Sequence, residues 1–430
     1  MNQDLFDDFC SEFEIETTPV QLQNCINLLL KNTFKATLES QDKKTSDKQK
    51  NQTEVFIGQS DISNFINSTF FEIIMNSTEP IEMLCTMDVS RLVSFLNYNT
   101  NNVCPRPTSQ IFAKVGLSLD TMDDKALLNL YYFINKYHNV FFDFFDNSTF
   151  KESNLIVIKN KMAILASLNS NGNFEMLSVI TDLEKVDAIF TNTSSLFKMN
   201  HLLILPMTSK EMVMGGYRSN FYALNNYQIF LAKGFEYLLP QNLIDSVVKA
   251  AYEQGYDGSM EKMLRKLLGL WEELFNYETL DFFMMKTDLI KYLEDGEFYC
   301  TDIIYRMSIE ERKAHIERVI EICDLNPKIN FYIIEDETIS YPNKHALFSI
   351  YNNNSKLFLK NTKSFYDSIG PQFYGVLNEN LIEKISMGME SLKKANCCYH
   401  FSASSLREFK EKYRVMIDRI MSLSEINNMF

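Results

Sequence analysis

The apolar period of this chain changes partway along, and that change limits the fold more than any other feature. Between residues 61 and 145 the apolar positions recur at helical spacing. In 61–76, Ile62, Phe65, Ile66, Phe70, Ile73 and Ile74 fall on one helical face. Pro80 stands at a first helical position and opens 81–87; helices are expected again at 89–98, 109–116 and 122–138. From about residue 154 the pattern turns β-rich, with NLIVI, KMAILASL and FEMLSVI. SNGN, at 170–173, predicts a hairpin, because Asn-Gly readily takes the positive φ angles of such a turn. HLLILP, at 201–206, is a further short buried run. The helical period returns over 241–324, where Met263, Leu264, Leu267, Leu268, Trp271, Leu274 and Phe275 mark one helix and Ser308 with Glu311 a capping box. INFYII, at 329–334, is strand-like, and ALFSIYNNNSKLFLK, at 346–360, reads as a hairpin. Helices over about 377–394 and 405–423 close the chain.

This order predicts a helix-rich α+β protein: an N-terminal all-helical unit, then small antiparallel sheets packed with helices. The implied divisions are a helical arm at 1–38, a polar linker at 39–60, a helical domain at 61–148, a small β-rich domain at 149–240, a helical segment at 241–325 and a C-terminal α+β domain at 326–430. The end resembles the middle in layout, which suggests a repeated sheet-plus-helices unit, although no residues repeat.

A length of 430 residues exceeds what one core usually holds. The net charge of −14 repels phosphate on average, so contact with nucleic acid needs a local basic patch. The opening MNQDLFDDFCSEFEIE is acidic and lacks the basic start of a secretory signal. No run of about twenty uninterrupted apolar residues occurs; Lys136, His138 and Asp143 break the nearest, at 126–145. The eight cysteines are scattered without a CxxC and read as reduced, packed thiols. A cytoplasmic location without a membrane partner is therefore expected. Heavy use of Asn, Lys, Ile and Phe suggests an AT-rich genome, such as that of a low-GC bacterium or its phages.

Catalytic signatures are sparse. The five histidines show no metal-ligand spacing, and Cys397, Cys398 and His400 lack a fourth ligand. SMEK, at 259–262, matches S-x-x-K without the companion motifs of penicillin-binding enzymes, and Ser259 reads more simply as a helix cap. No phosphate loop or GxGxxG is present. The acidic clusters at 294–297 and 333–337 suit solvated loop ends better than a cation site. With no nucleophile beside a visible base, a non-enzyme without cofactor or metal is expected.

One stretch points further. IEMLCTMDVSRLVSFLNYN, at 81–99, reads as helix, break and helix. Leu84-Cys85, then Asp88-Val89-Ser90, then Pro107, then Ala113 to Asp120 follow an order over 61–124 that resembles the Cro/repressor-type (XRE) helix-turn-helix family, across about fifteen per cent of the chain. Asp88 stands where the family has Gly in its turn, and two single-residue gaps are needed. The resemblance implies a recognition helix presenting Ser90, Arg91, Ser94 and Asn97, with Arg106 nearby. Arg and Asn suit guanine and adenine edges. It implies a transcription regulator that binds double-stranded DNA as a homodimer, with a C-terminal sensing or dimerising region. Against this, Arg91, Arg106 and Lys114 are the cations of 61–124 and face eight carboxylates. The alternative is a phage, mobile-element or bacterial regulatory protein that has lost DNA binding and works through protein partners. A third reading is an enzyme with a site assembled from dispersed residues. The arm offers Phe6, Phe9 and Phe13 among acidic residues, either to dock on a partner or to pack on its own domain.

Overall fold

Ile81–Asp88 is buried on both sides: Met83, Cys85 and Met87 face one way, and Leu84 and Thr86 the other. A segment covered on both faces suits a central strand. In the computed structural model this one pairs in parallel with Ile111–Leu117 and antiparallel with Leu155–Ile158. The structure describes residues 53–98, 109–214, 221–222, 226–232, 234–300, 303–335, 348–361 and 370–427.

The strands are β1 (Thr53–Ile57), β2 (Ile81–Asp88), β3 (Ile111–Leu117), β4 (Val140–Asp146), β5 (Leu155–Ile158), β6 (Met162–Leu168), β7 (Phe174–Ile180) and β8 (Leu202–Met207). They continue as β9 (Asn226–Leu231), β10 (Thr279–Met285), β11 (Glu297–Cys300), β12 (Ile303–Arg306), β13 (Ile329–Ile334), β14 (Phe348–Asn352), β15 (Leu357–Asn361), β16 (Phe373–Val376) and β17 (Cys398–Ser402). Apart from the β11-β12 hairpin they form one 15-stranded sheet, in the order β1-β7-β6-β5-β2-β3-β4-β8-β16-β15-β14-β9-β10-β13-β17.

That order holds one pattern twice. β7-β6-β5-β2-β3-β4-β8 is followed by β16-β15-β14-β9-β10-β13-β17. In each, the trio β2, β3, β4 or β9, β10, β13 is parallel. The remaining neighbours are antiparallel. The modules meet where β8 pairs with both β4 and β16. Across this seam the Tyr374 hydroxyl donates to the Val140 carbonyl at 2.8 Å and accepts from the Phe142 amide at 3.2 Å. β1 lines the outer edge of β7.

Helices fill the crossovers. α1 (Gly58–Phe65) runs through a π-helical turn into α2 (Phe71–Met75); α3 (Val89–Leu96) joins β2 to β3 and α4 (Asp124–Lys136) joins β3 to β4. Their apolar sides meet Val115, Phe142 and Ile164 in one core, which continues past the seam to Leu359 and Tyr374. α5 (Leu183–Lys198) covers the opposite face through Val186 and Phe197. α6 (Ser209–Met214) follows β8. In the second module α7 (Gln241–Glu253), α8 (Gly258–Tyr277), α9 (Lys286–Asp295) and α10 (Ile309–Leu325) lie between the parallel strands, over Trp271, Phe275, Phe282 and Phe331. α11 (Glu379–Lys393) follows β16, as α5 follows β7, and α12 (Ala403–Asn427) ends the described chain.

The helix-rich α+β expectation is therefore corrected. The span 61–148 is not all-helical: 81–87 and 109–116 are β2 and β3, and apart from the β11-β12 pair the described strands join one large mixed sheet. The physical reason is burial on both faces. Such a strand is a short continuous apolar run, which periodicity does not separate from a buried helix. The same correction removes the helix-turn-helix geometry, because its second helix is β2. Several elements do match the expectations: α1 with α2, α3, α4, the 329–334 strand, the β14-β15 hairpin and the Ser308/Glu311 capping box. The arm at 1–38, most of the linker and Arg106 lie outside the described residues.

One buried group ties the second module to pH. His315 on α10 lies between α9 and the segment after β9. A carbonyl only accepts, so Nε2 donates to the Tyr237 carbonyl at 2.6 Å and Nδ1 accepts from the Tyr292 hydroxyl at 2.6 Å. Burial lowers its pKa from 6.5 to about 4, against the opposing pull of the Tyr237 carbonyl. The neutral ring thus contributes stability that is fully present above pH 6.5 and lost as pH falls towards 4. The shift corresponds to about 3 kcal/mol. Urea unfolding at pH 7 and pH 5 should show about 2 kcal/mol of this loss in the wild-type protein and a smaller one in His315→Phe; equal losses would rule His315 out as the source.

Candidate functional site

Open α/β sheets take ligands at the carboxyl ends of their parallel strands. This sheet has two such ends, and the strand register makes them comparable. Val140 aligns through Ile111 with Ile81, as Ile329 aligns through Leu280 with Tyr227. Carrying this across the antiparallel neighbours places Leu84 opposite Val157 and Phe230 opposite Ile350. One residue earlier, Ile156 pairs with Ile164 in the first module and Ser349 with Lys360 in the second.

In the first module this position is closed by hydrocarbon: Ile156 and Ile164 are fully buried. Beside them Gly116 permits a close approach, since a Cβ there would lie 2.9 Å from the Thr86 carbonyl oxygen and 3.0 Å from Asn147. The Thr86 hydroxyl accepts from the Leu155 amide at 3.0 Å and lies 2.9 Å from Ser153 Oγ.

In the second module the same position carries charge. Lys360 Nζ stands 3.0 Å from Glu236 Oε2 and donates to the Tyr299 carbonyl at 3.3 Å, with 4% and 8% of the two side chains exposed. The Tyr351 hydroxyl donates to Glu236 Oε1 at 2.7 Å. Ser349 Oγ accepts from the Ala232 amide at 3.0 Å. Next to Glu236, the Tyr237 ring packs on Trp271 with centroids 4.5 Å apart, and burial pushes the Tyr237 hydroxyl pKa up. The fold does not require this charge, because the first module fills the same place with two isoleucines. Chemically the cluster holds a desolvated ammonium on a carboxylate, with tyrosine closing the carboxylate's second oxygen.

A second pair of equivalent rows lies on the opposite face. In the second module Gln228, Asp281 and Asn330 cross β9, β10 and β13 side by side. α11 closes over them. Gln228 Nε2 donates to Glu390 at 2.5 Å, Lys393 pairs with Asp281 at 2.6 Å, and Asn352 Nδ2 reaches Ser386 Oγ at 2.8 Å. The register places Glu82, Phe112 and Phe141 at the corresponding positions in the first module, and Lys159 at that of Asn352. There the Phe112 and Phe141 rings stack with centroids 5.1 Å apart, and Lys159 pairs with Glu82 at 2.6 Å. α5 packs over β5, β2 and β6, and Phe112 remains 41% exposed.

The residues expected to read DNA lie elsewhere. Ser90 and Ser94 project from α3, where the Ser94 hydroxyl donates to the Ser90 carbonyl at 3.0 Å; Asn97 is the exposed C-cap residue. Arg91 is half-buried and donates to the Lys151 carbonyl at 2.8 Å and to Asn154 at 3.1 Å. Asp88, in the expected turn, is the N-cap of α3 and accepts from the Arg91 amide at 2.9 Å. In SMEK, the helix N-cap is Asp257 rather than Ser259. Burial raises the Cys398 thiol to about 11. Among the described residues no three His, Cys, Asp or Glu side chains gather to hold a metal ion, and no helix is long and apolar enough to cross a membrane. Sequence reasoning missed Glu236, Lys360, Phe112 and Phe141. The available signal was Lys360 itself, a cation in the apolar run LFLK.

No family model matches the chain, and no curated protein matches it. Among solved structures it is similar to NucT from Helicobacter pylori, at 13% identity over 35% of this chain and 98% of that one, with a TM-score of 0.25. It is also similar to TrmBL2, an archaeal chromatin protein, at 9% identity over 46% and 70%, with a TM-score of 0.22. A third is Nuc from Salmonella typhimurium, a phospholipase D family member, at 11% identity over 35% and 96%, with a TM-score of 0.23. Scores at this level assign neither fold nor activity.

Removing one member of a buried ion pair strands the other. Lys360→Ile and Glu236→Leu should each destabilise the protein by about 3–5 kcal/mol in denaturant unfolding, and the double variant should recover most of that loss. Additive losses would show that the pair is not coupled.

Proposed function

We propose that this chain acts by holding protein partners and not by catalysis. The observation that supports this is the state of its two carboxyl-end positions. One is filled by Ile156 and Ile164, the other by the Glu236–Lys360 pair with Tyr351 and Tyr299 around it. Where such sheets usually leave room for a ligand, this chain places its own side chains. Its strands are tied together by one continuous ladder. The proposed setting is cytoplasmic, with Cys85, Cys300 and Cys323 buried and outside any disulfide. DNA binding does not enter the proposal, because β2 replaces a helix of the motif and Arg91 is engaged within the module.

The test is turnover by the purified full chain on phosphodiester, carboxyl-ester and peptide reporter substrates. No rate above buffer is expected. A rate that persists through purification and is abolished by Lys360→Ile, in protein whose circular dichroism is unchanged, would overturn the reading.

A further inference from the structure

The turn that joins β6 to β7 sets an amide side chain beside an unhindered backbone nitrogen. We propose that Asn171 is a site of self-modification, converted by the Gly172 amide to isoaspartate and aspartate, and that Asn169 sets the rate. This goes beyond the interaction reading and does not rest on it.

The loop holds residues 170–172 between Asn169 and Asn173, and the Asn169 amide donates to the Asn173 carbonyl at 2.9 Å to close it. A loop of this length takes a left-handed residue at its last place. Gly172 stands there at φ +78°, and a Cβ built on it would find no atom within 4 Å. Asn171 and Gly172 are both exposed. Nothing crowds the Gly172 nitrogen, and water reaches both residues. Of the thirteen glycines, Gly172 alone follows Asn, while Gly258 and Gly296 follow Asp. A carboxylate is a far poorer electrophile than an amide. Asp257 is also held as the cap of α8, accepting from the Ser259 amide at 2.8 Å. Gly296 is packed, since a Cβ there would lie 2.7 Å from the Met307 carbonyl oxygen.

The step is balanced without an oxidant or cofactor. Once the Gly172 amide has lost its proton to solvent base, its nitrogen attacks the side-chain carbonyl carbon of Asn171. The new C–N bond closes a cyclic imide, and the side-chain nitrogen leaves as ammonia, taking its proton from water. Water then opens the ring. Opening at the main-chain carbonyl gives isoaspartate, with the chain running through the former side chain; opening at the other carbonyl gives aspartate. The net change is water in and ammonia out.

Asn169 restrains this step. Its Oδ1 accepts from the Asn171 and Asn173 amides, both at 3.0 Å, and its carbonyl accepts from the Gly172 amide at 2.9 Å. The attacking nitrogen is therefore engaged in the closed turn and freed only when the tip opens. Asn169 is a positioning residue: it times the reaction without joining it. Isoaspartate adds a carbon to the main chain at 171, so the closed turn cannot re-form as it was. β7 carries β1 at the outer edge of the sheet. Each conversion thus adds a negative charge beside that edge and loosens it.

The full chain, incubated at a series of rising pH values, is followed by peptide mapping with mass spectrometry beside a synthetic peptide of residues 166–176. Conversion at Asn171 should appear in the folded protein, more slowly than in the peptide and faster as pH rises. Asn169→Ala should convert on the order of tenfold faster, through the loss of two hydrogen bonds. Asn169→Asp keeps an accepting oxygen and should stay near the wild-type rate, and Asn171→Gln should not convert. Hydrogen exchange in β7 and β1 should quicken in the converted protein. An intact Asn171 after the peptide has converted fully, or earlier conversion at another residue, would overturn the site. A wild-type rate equal to that of the peptide, or an Asn169→Ala rate equal to that of the wild type, would overturn the restraint. Unchanged exchange after conversion would overturn the loosening of the edge.

Discussion

β8 is the strand on which the rest of the sheet depends. Each backbone amide and carbonyl in a sheet needs a partner, and an uncovered edge invites wrong ones. β8 ends the first module by pairing with β4 and begins the second by pairing with β16. Polarity alternates through β4, β8, β16, β15, β14 and β9, so the second parallel trio runs against the first along the ladder. The faces exchange roles across the same seam. The core under α1 to α4 therefore passes directly into the face that α11 covers, through Leu381 and Ile382. Two repeats become one body because one strand serves both.

A shared topology with different contents separates what the fold needs from what it merely carries. Both modules need bulk at the positions of Ile156 and Ser349, and of Ile164 and Lys360. Only the second has put an ion pair there. Taking two charges out of water is unfavourable unless geometry and further hydrogen bonds repay it. Tyr351 and the Tyr299 carbonyl supply those bonds. The outer rows diverge in the opposite sense, polar beneath α11 and aromatic at Phe112 and Phe141.

Much of this was legible in the chain, but not its central feature. Helices with one apolar face declared themselves: Leu92 with Phe95, and Leu130 with Phe133 and Ile134, stand where helical spacing puts them. The hairpins at SNGN and YNNNSK declared themselves through their turn residues. β2 and β3 did not, because a strand buried on both faces loses its alternation, and Pro80 ahead of IEMLCTMD resembled a helix start. The repeat was visible as layout only. With no residues repeating, register alone equates Ile164 with Lys360 or Phe112 with Asp281. The candidate sites were hidden for that reason: each acquires meaning from its counterpart, and the counterpart is found through the ladder.

The bonds of Tyr374 to Val140 and Phe142 join residues more than two hundred positions apart. On the ribosome, the first module is complete through β8 well before β16 exists. Its last strand must then wait with one side of its backbone unsatisfied. Long-range pairings are closed late and slowly, and waiting edges are where chains find one another instead. The seam that unites the finished molecule is thus also its period of greatest exposure to aggregation, one that ends only when synthesis has passed residue 376.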